Sequence, residues 1–128
     1  MTDIVKLIQK QPNFYAMDCV TENEIKVAEQ QLKLRFASDY RAYITSLGAA
    51  SFGGHELTGI CNSKRLNVVS VTLEERMNVQ VPEDWYVLEQ AHIDGIVLWQ
   101  TPEGTVYQTS PYNKVKKLCG SLAEYIEM

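Results

Sequence analysis

A length of 128 residues suits one domain, and a chain that is 45% hydrophobic and 22% charged is neither disordered nor of low complexity. Twelve Lys and Arg against sixteen Asp and Glu leave a net charge of −4, the wrong sign for a protein that lives on phosphate backbones. Met1, Thr2 and Asp3 open the chain without a basic leader or a long apolar run, so no signal peptide and no membrane span are expected, and a cytoplasmic location is.

Ile4, Leu7 and Ile8 recur at helical spacing behind a cap at Thr2 or Asp3, and Pro12 closes that short helix. After a loop to Cys19, Thr21-Glu22-Asn23-Glu24 spells a capping box. Thr21 caps the Glu24 amide, the Glu24 carboxylate reaches back, and Val20 staples onto Ile25. Ile25, Ala28 and Leu32 then form one apolar stripe opposite Glu22, Lys26, Glu29 and Lys33. Another helix begins at Ser38 or Asp39, with Tyr40, Tyr43, Ile44 and Leu47 inward and Gly48 as its stop.

From His55 the texture changes to short apolar pieces, 56–60, 85–88, 96–99 and 105–108. The turn signals Asp94-Gly95 and Pro102-Glu103-Gly104 punctuate the last three as an antiparallel meander. Between the first two, Leu66 to Met77 alternates like a strand at Leu66, Val68 and Ser70. It repeats like a helix at Val69, Leu73 and Met77, and Glu74, Glu75 and Arg76 favour the helix. Ser121-Leu122-Ala123-Glu124 repeats the capping grammar for a last helix with Leu122, Tyr125 and Ile126 on its apolar side. Residues 1–128 therefore read as one α+β domain, a mostly antiparallel sheet flanked by N-terminal and C-terminal helices.

Chemistry is sparse. Cys19, Cys61 and Cys119 are odd in number and far apart, so three reduced thiols are expected, with neither a disulfide framework nor a zinc site. His55 beside Glu56 has the form of an oriented base, yet Ser51 and Ser63 lack a nucleophile motif, and a strand-edge histidine is the plainer reading. His92 and Asp94 are two ligands, too few for a metal, and Gly53-Gly54 lacks the lysine and helix start of a phosphate loop. Trp85, Tyr86, Trp99, Tyr107 and Tyr112 could stack on bases. No Lys or Arg lies between Arg76 and Lys114 to hold the backbone, so the packed face of a sheet is expected instead. No catalytic residue, metal or cofactor is assigned.

What that cation-free stretch carries is acid. From Met77 to Asn113 the charged residues are Glu83, Asp84, Glu89, Asp94 and Glu103, so charge is segregated along the chain. A solvated sheet edge explains this, and so does a surface complementary to a basic protein.

The order of elements also resembles a known superfamily. Thr21-Glu22-Asn23-Glu24-Ile25 through Glu29, Leu32, Phe36, Asp39-Tyr40 and Tyr43-Ile44 to Gly48 is similar to the opening of the SUKH superfamily. Asn67-Val68-Val69, Thr72, Arg76, Pro82 and Tyr86-Val87 resemble its middle. Gly95 to Trp99, Gly104-Thr105-Val106-Tyr107 and Ser121 to Ile126 resemble its close. Ala37 replaces the usual Pro before the Asp-Tyr helix and Leu47 the usual Asn before the Gly, both changes of local backbone geometry. The resemblance implies a binding role: an immunity protein that neutralises a cognate bacterial toxin, often a nuclease, by stoichiometric occlusion. Its alternative is a regulatory or scaffolding module without a toxin, and an unrecognised enzyme or ligand-binding domain is a third reading. The partner expected is a basic toxin, met by Glu83, Asp84, Trp85, Tyr86, Glu89, Asp94 and Glu103, with no direct nucleic acid and no membrane, the chain being a monomer or a homodimer.

Overall fold

Asp3 accepts the Lys6 amide and so caps α1 (Ile4–Gln9), whose Ile4 and Ile8 turn inward. The computed structural model describes residues 3–111 and 114–128; Thr2, the other expected cap, and Tyr112 lie outside them. β1 (Tyr15–Ala16) follows, and α2 (Glu22–Leu32) starts on the expected capping box, with Thr21 Oγ1 3.2 Å from the Glu24 amide and Glu24 Oε1 3.1 Å from the Thr21 amide. Buried Val20 and Ile25 belong to the same core. α3 (Ser38–Leu47) begins without a side-chain cap at Ala37 and stops at Gly48.

Gly48 is required there. Its φ is +71°, and a Cβ would stand 2.1 Å from the Asp18 carbonyl oxygen, while its own carbonyl accepts the Ile60 amide at 3.0 Å. The chain then lays down β2 (Ala50–Phe52) and β3 (His55–Leu57), crosses through α4 (Val68–Glu75), and returns as β4 (Tyr86–Gln90), β5 (Val97–Gln100), β6 (Val106–Ser110) and β7 (Lys114–Cys119). α5 (Leu122–Glu127), capped by Ser121, closes it. All seven strands pair in chain order, each neighbouring pair antiparallel. The α+β architecture with a flanked antiparallel sheet is therefore the one observed.

Three strands go beyond the expected set. β1 and β2 are short and poor in β-branched residues, and half of β7 is lysine, so none of them announces itself by hydrophobicity. α4 differs in another way. Of the repeat Val69, Leu73 and Met77, Leu73 and Met77 are exposed and Val69 packs partly against the main core, while Val68, Val71 and Thr72 form the buried side.

Because side chains alternate along a strand, the sheet has two apolar faces. Leu98, Leu88, Tyr86 and Val106 join the helices α1, α2, α3 and α5 in the main core. Val87, Val97 and Trp99 turn the other way and pack with Trp85 and with Val71 of α4, under partial cover from Val79, Val81 and Tyr107. All three cysteines are unpaired, and Cys119 is buried. Among the described residues no helix is long and apolar enough to cross a membrane.

Candidate interaction surface

The residues that gave the chain its family likeness are fasteners. The Asp39 carboxylate accepts Gln100 Nε2 of β5 at 3.0 Å and the Leu122 amide of α5 at 2.9 Å, so one side chain ties α3 to the sheet and to the last helix. Thr58 donates to the Val87 carbonyl and receives the Tyr40 hydroxyl at 2.8 Å, and Tyr43 donates to the Thr58 carbonyl while accepting the Ala50 amide. Burial raises the Tyr40 and Tyr43 phenols far above their ordinary range, so both remain neutral donors. Glu29 accepts the Phe36 amide and both of its oxygens lie 2.7 Å from Arg41. Asn67 caps α4, Thr72 accepts the Val87 amide, and Arg76 donates to the Glu83 and Trp85 carbonyls. Asp39, Tyr40, Tyr43 and Thr72 connect elements distant in sequence, whereas Asn67, Glu29 and Arg76 act more locally.

The acidic segment separates into three places. Glu89 is buried at 4% exposure, a finding that removes it from any surface a partner can reach. Its carboxylate accepts the Glu56 amide at 2.7 Å and the Tyr125 hydroxyl of α5, and lies 3.0 Å from His55 Nδ1. The Tyr125 phenol is pushed up by burial and by the adjacent Glu89 charge, which favour the neutral, donating form. The reason for this placement is a β-bulge: Val87 pairs with Trp99 and Glu89 with Leu98, so Leu88 and Glu89 both turn to the helix side.

Tyr86 is likewise internal, accepting the Ala37 amide at 3.0 Å and donating to Gln100 at 2.7 Å. Trp85 is 8% exposed and stacks on Tyr107 with ring centroids 4.3 Å apart, leaving Tyr107 as the partly open ring of the pair. Neither Trp85 nor Tyr86 projects as an anchor.

Glu83, Asp84, Asp94 and Glu103 are exposed. Tyr86 pairs with Gln100, which puts Glu83 and Asp84 and the turn bearing Glu103 at one end of the β4–β5 hairpin, and Asp94 at the other. Glu103 borders a depression shared with Glu22, Lys26, Arg35 and Arg41, where charge of both signs is present. Glu83 and Asp84 are adjacent exposed acids; Glu83 shares a shallow depression with the exposed Met77, and Asp84 precedes Trp85, on which the half-open Tyr107 stacks.

His55, the expected base candidate, is bound to buried Glu89, and its other contacts are the rings of Phe52 and Tyr125. Glu56 binds Arg65 through both carboxylate oxygens at 2.8 Å, and this hydrogen bonding holds its carboxyl below the ordinary range. His92 and Asp94 sit in a turn, both with positive φ, and among the described residues no group of three ligating side chains surrounds a metal position. What sequence reasoning missed is the β7 edge. Lys114, Lys116 and Lys117 are exposed on it, and the signal that could have found them is the short alternation Lys114-Val115-Lys116 ahead of Leu118.

Compared with known families, the chain matches the family model described as SMI1-KNR4 cell-wall, SUKH_5, over residues 1–128. No curated protein matches it.

Proposed function

The chain belongs to the SMI1-KNR4 family, and from that premise we propose that it is an immunity protein: it binds a cognate bacterial toxin stoichiometrically and blocks its working surface. The observation that carries this reading is the division of labour among the residues. Positions that bear the family likeness are consumed by internal hydrogen bonds, whereas Glu83, Asp84 and Glu103 stand exposed at one end of the hairpin with no internal carboxylate contact among the described residues. A surface free of structural duty can diverge with its partner while the scaffold stays fixed.

The partner is a basic protein. Acid of one sign steers its approach, and Tyr107, backed by Trp85, offers a rigid aromatic contact beside Glu83 and Asp84. No catalytic step belongs to this reading. A second reading keeps the same surface but gives it a regulatory or scaffolding partner in place of a toxin, in line with the cell-wall description of the family.

The decisive experiment pairs this chain with the C-terminal domain of the protein encoded next to its gene. Co-expression should restore growth to cells poisoned by that domain, and the mixture should elute as a one-to-one complex. A complex without growth rescue selects the regulatory reading, and the absence of both overturns the binding role at this locus.

A further inference from the structure

β7 is the last strand of the seven-stranded sheet and, among the described residues, pairs with β6 alone. Along Lys114–Cys119 it leaves a row of main-chain donors and acceptors on its outer side, about 20 Å long at strand spacing. The opposite edge of the sheet, β1, has only two residues and offers no comparable template. Lys114, Val115, Lys116 and Lys117 are all exposed, and the strand holds no acid. In a chain of net charge −4 this edge is a local cationic strip.

Edge lysines commonly act as protection, since they make self-pairing unfavourable. Two copies joined antiparallel about Lys116 or about Lys117 would set that lysine opposite its own copy, like charge against like. That argument removes a second copy as the occupant and also specifies the one that fits. A strand with acids at the matching positions turns each repulsive cross-strand pair into an attractive one. On the face shared with Tyr107 and Thr109, Val115 and Lys117 present one apolar and one cationic position in register with β6.

We propose that β7 is a docking edge for an extended acidic segment of a partner protein, added as an eighth strand through main-chain hydrogen bonds and held by Lys114, Lys116 and Lys117. The site is separate from the acidic end of the β4–β5 hairpin and does not depend on a toxin.

The probe is a fluorescent eight-residue peptide alternating Glu and Val, compared with a Lys and Val peptide and with a Glu and Val peptide N-methylated on alternate amides. Fluorescence anisotropy should show binding of the acidic peptide only. Methylation, which keeps the charge and removes the donors, should abolish it. Hydrogen exchange should slow at amides of 114–119 when the acidic peptide binds. The variant Lys116→Glu/Lys117→Glu, confined to exposed positions, should bind the acidic peptide about tenfold more weakly and gain affinity for the lysine peptide. Equal binding of the methylated peptide, unchanged exchange at 114–119, or undiminished binding by the folded double variant would each overturn the proposal, leaving the lysines as edge protection. Failure here does not touch the toxin reading, which is judged by growth rescue.

Discussion

Glu83 lies just before β4 and Glu89 near its end, yet Glu89 is spent in the interior and Glu83 is free at the surface. The junction around Glu89 joins β3, β4 and α5 through a single carboxylate that meets His55, the Glu56 amide and Tyr125. The hairpin end around Glu83 and Asp84 has no such obligations, and its nearest ordered feature, Arg76, binds main-chain carbonyls instead of carboxylates. The same residue type therefore does opposite work: a buried acid with several donors fixes the fold, and an exposed acid is available for recognition.

The comparison breaks most visibly at Glu89. Glu89→Ala strands the Glu56 amide and the Tyr125 hydroxyl without an acceptor, at a cost of about 3 kcal/mol. Chemical denaturation should record it, whereas Glu83→Gln should fall within about 0.5 kcal/mol of the parent, as exposed positions do. Tyr86→Phe comes next. It removes the hydroxyl between the Ala37 amide and Gln100 while keeping the ring against Phe36 and Tyr40, and should cost about 2 kcal/mol. Thr21→Ala tests a purely local device and should lower stability by about 1 kcal/mol through loss of the capping box.

Those four substitutions also mark how far the sequence could be read. The Thr21 box, the Ser121 cap and the Gly48 stop involve residues a few positions apart, so their chemistry is visible in a linear chain. The turns at Asp94-Gly95 and Gly104 were legible for the same reason, with positive φ at each of these residues. The fate of Glu89 was not. It depends on a bulge that reverses the side on which Glu89 falls and on Tyr125 far along the chain. β7 was hidden because its lysines mask a strand pattern that only pairing with β6 reveals. Of the expected surface, Glu83, Asp84, Asp94 and Glu103 are exposed as the charge pattern suggested, and Trp85, Tyr86 and Glu89 are internal because apolar burial and the bulge claim them.

Glu56 lies between the two extremes, half-buried and paired with Arg65. Its folded-state carboxyl is depressed, so its contribution to stability is present above its unfolded value and is lost as pH falls through the lower, folded one. Arg65→Met should move the Glu56 titration up toward its ordinary range in carboxyl-resolved NMR, with a small loss of stability at neutral pH that vanishes in acid. An unmoved titration would mean that the pair does not hold in solution.

The central claim is that the free acids, and not the buried one, meet the partner. Stopped-flow association with the cognate toxin is the direct test, run from low to physiological salt, over which the Debye length shrinks from about 30 Å to about 8 Å. Association should slow markedly across that series while dissociation changes less. Glu83→Gln/Asp84→Asn/Glu103→Gln, at exposed positions, should reproduce most of the slowing at low salt without loss of stability. An on-rate indifferent to salt, or a triple variant that associates as fast as the parent, would contradict the account and return these acids to a merely solvated turn.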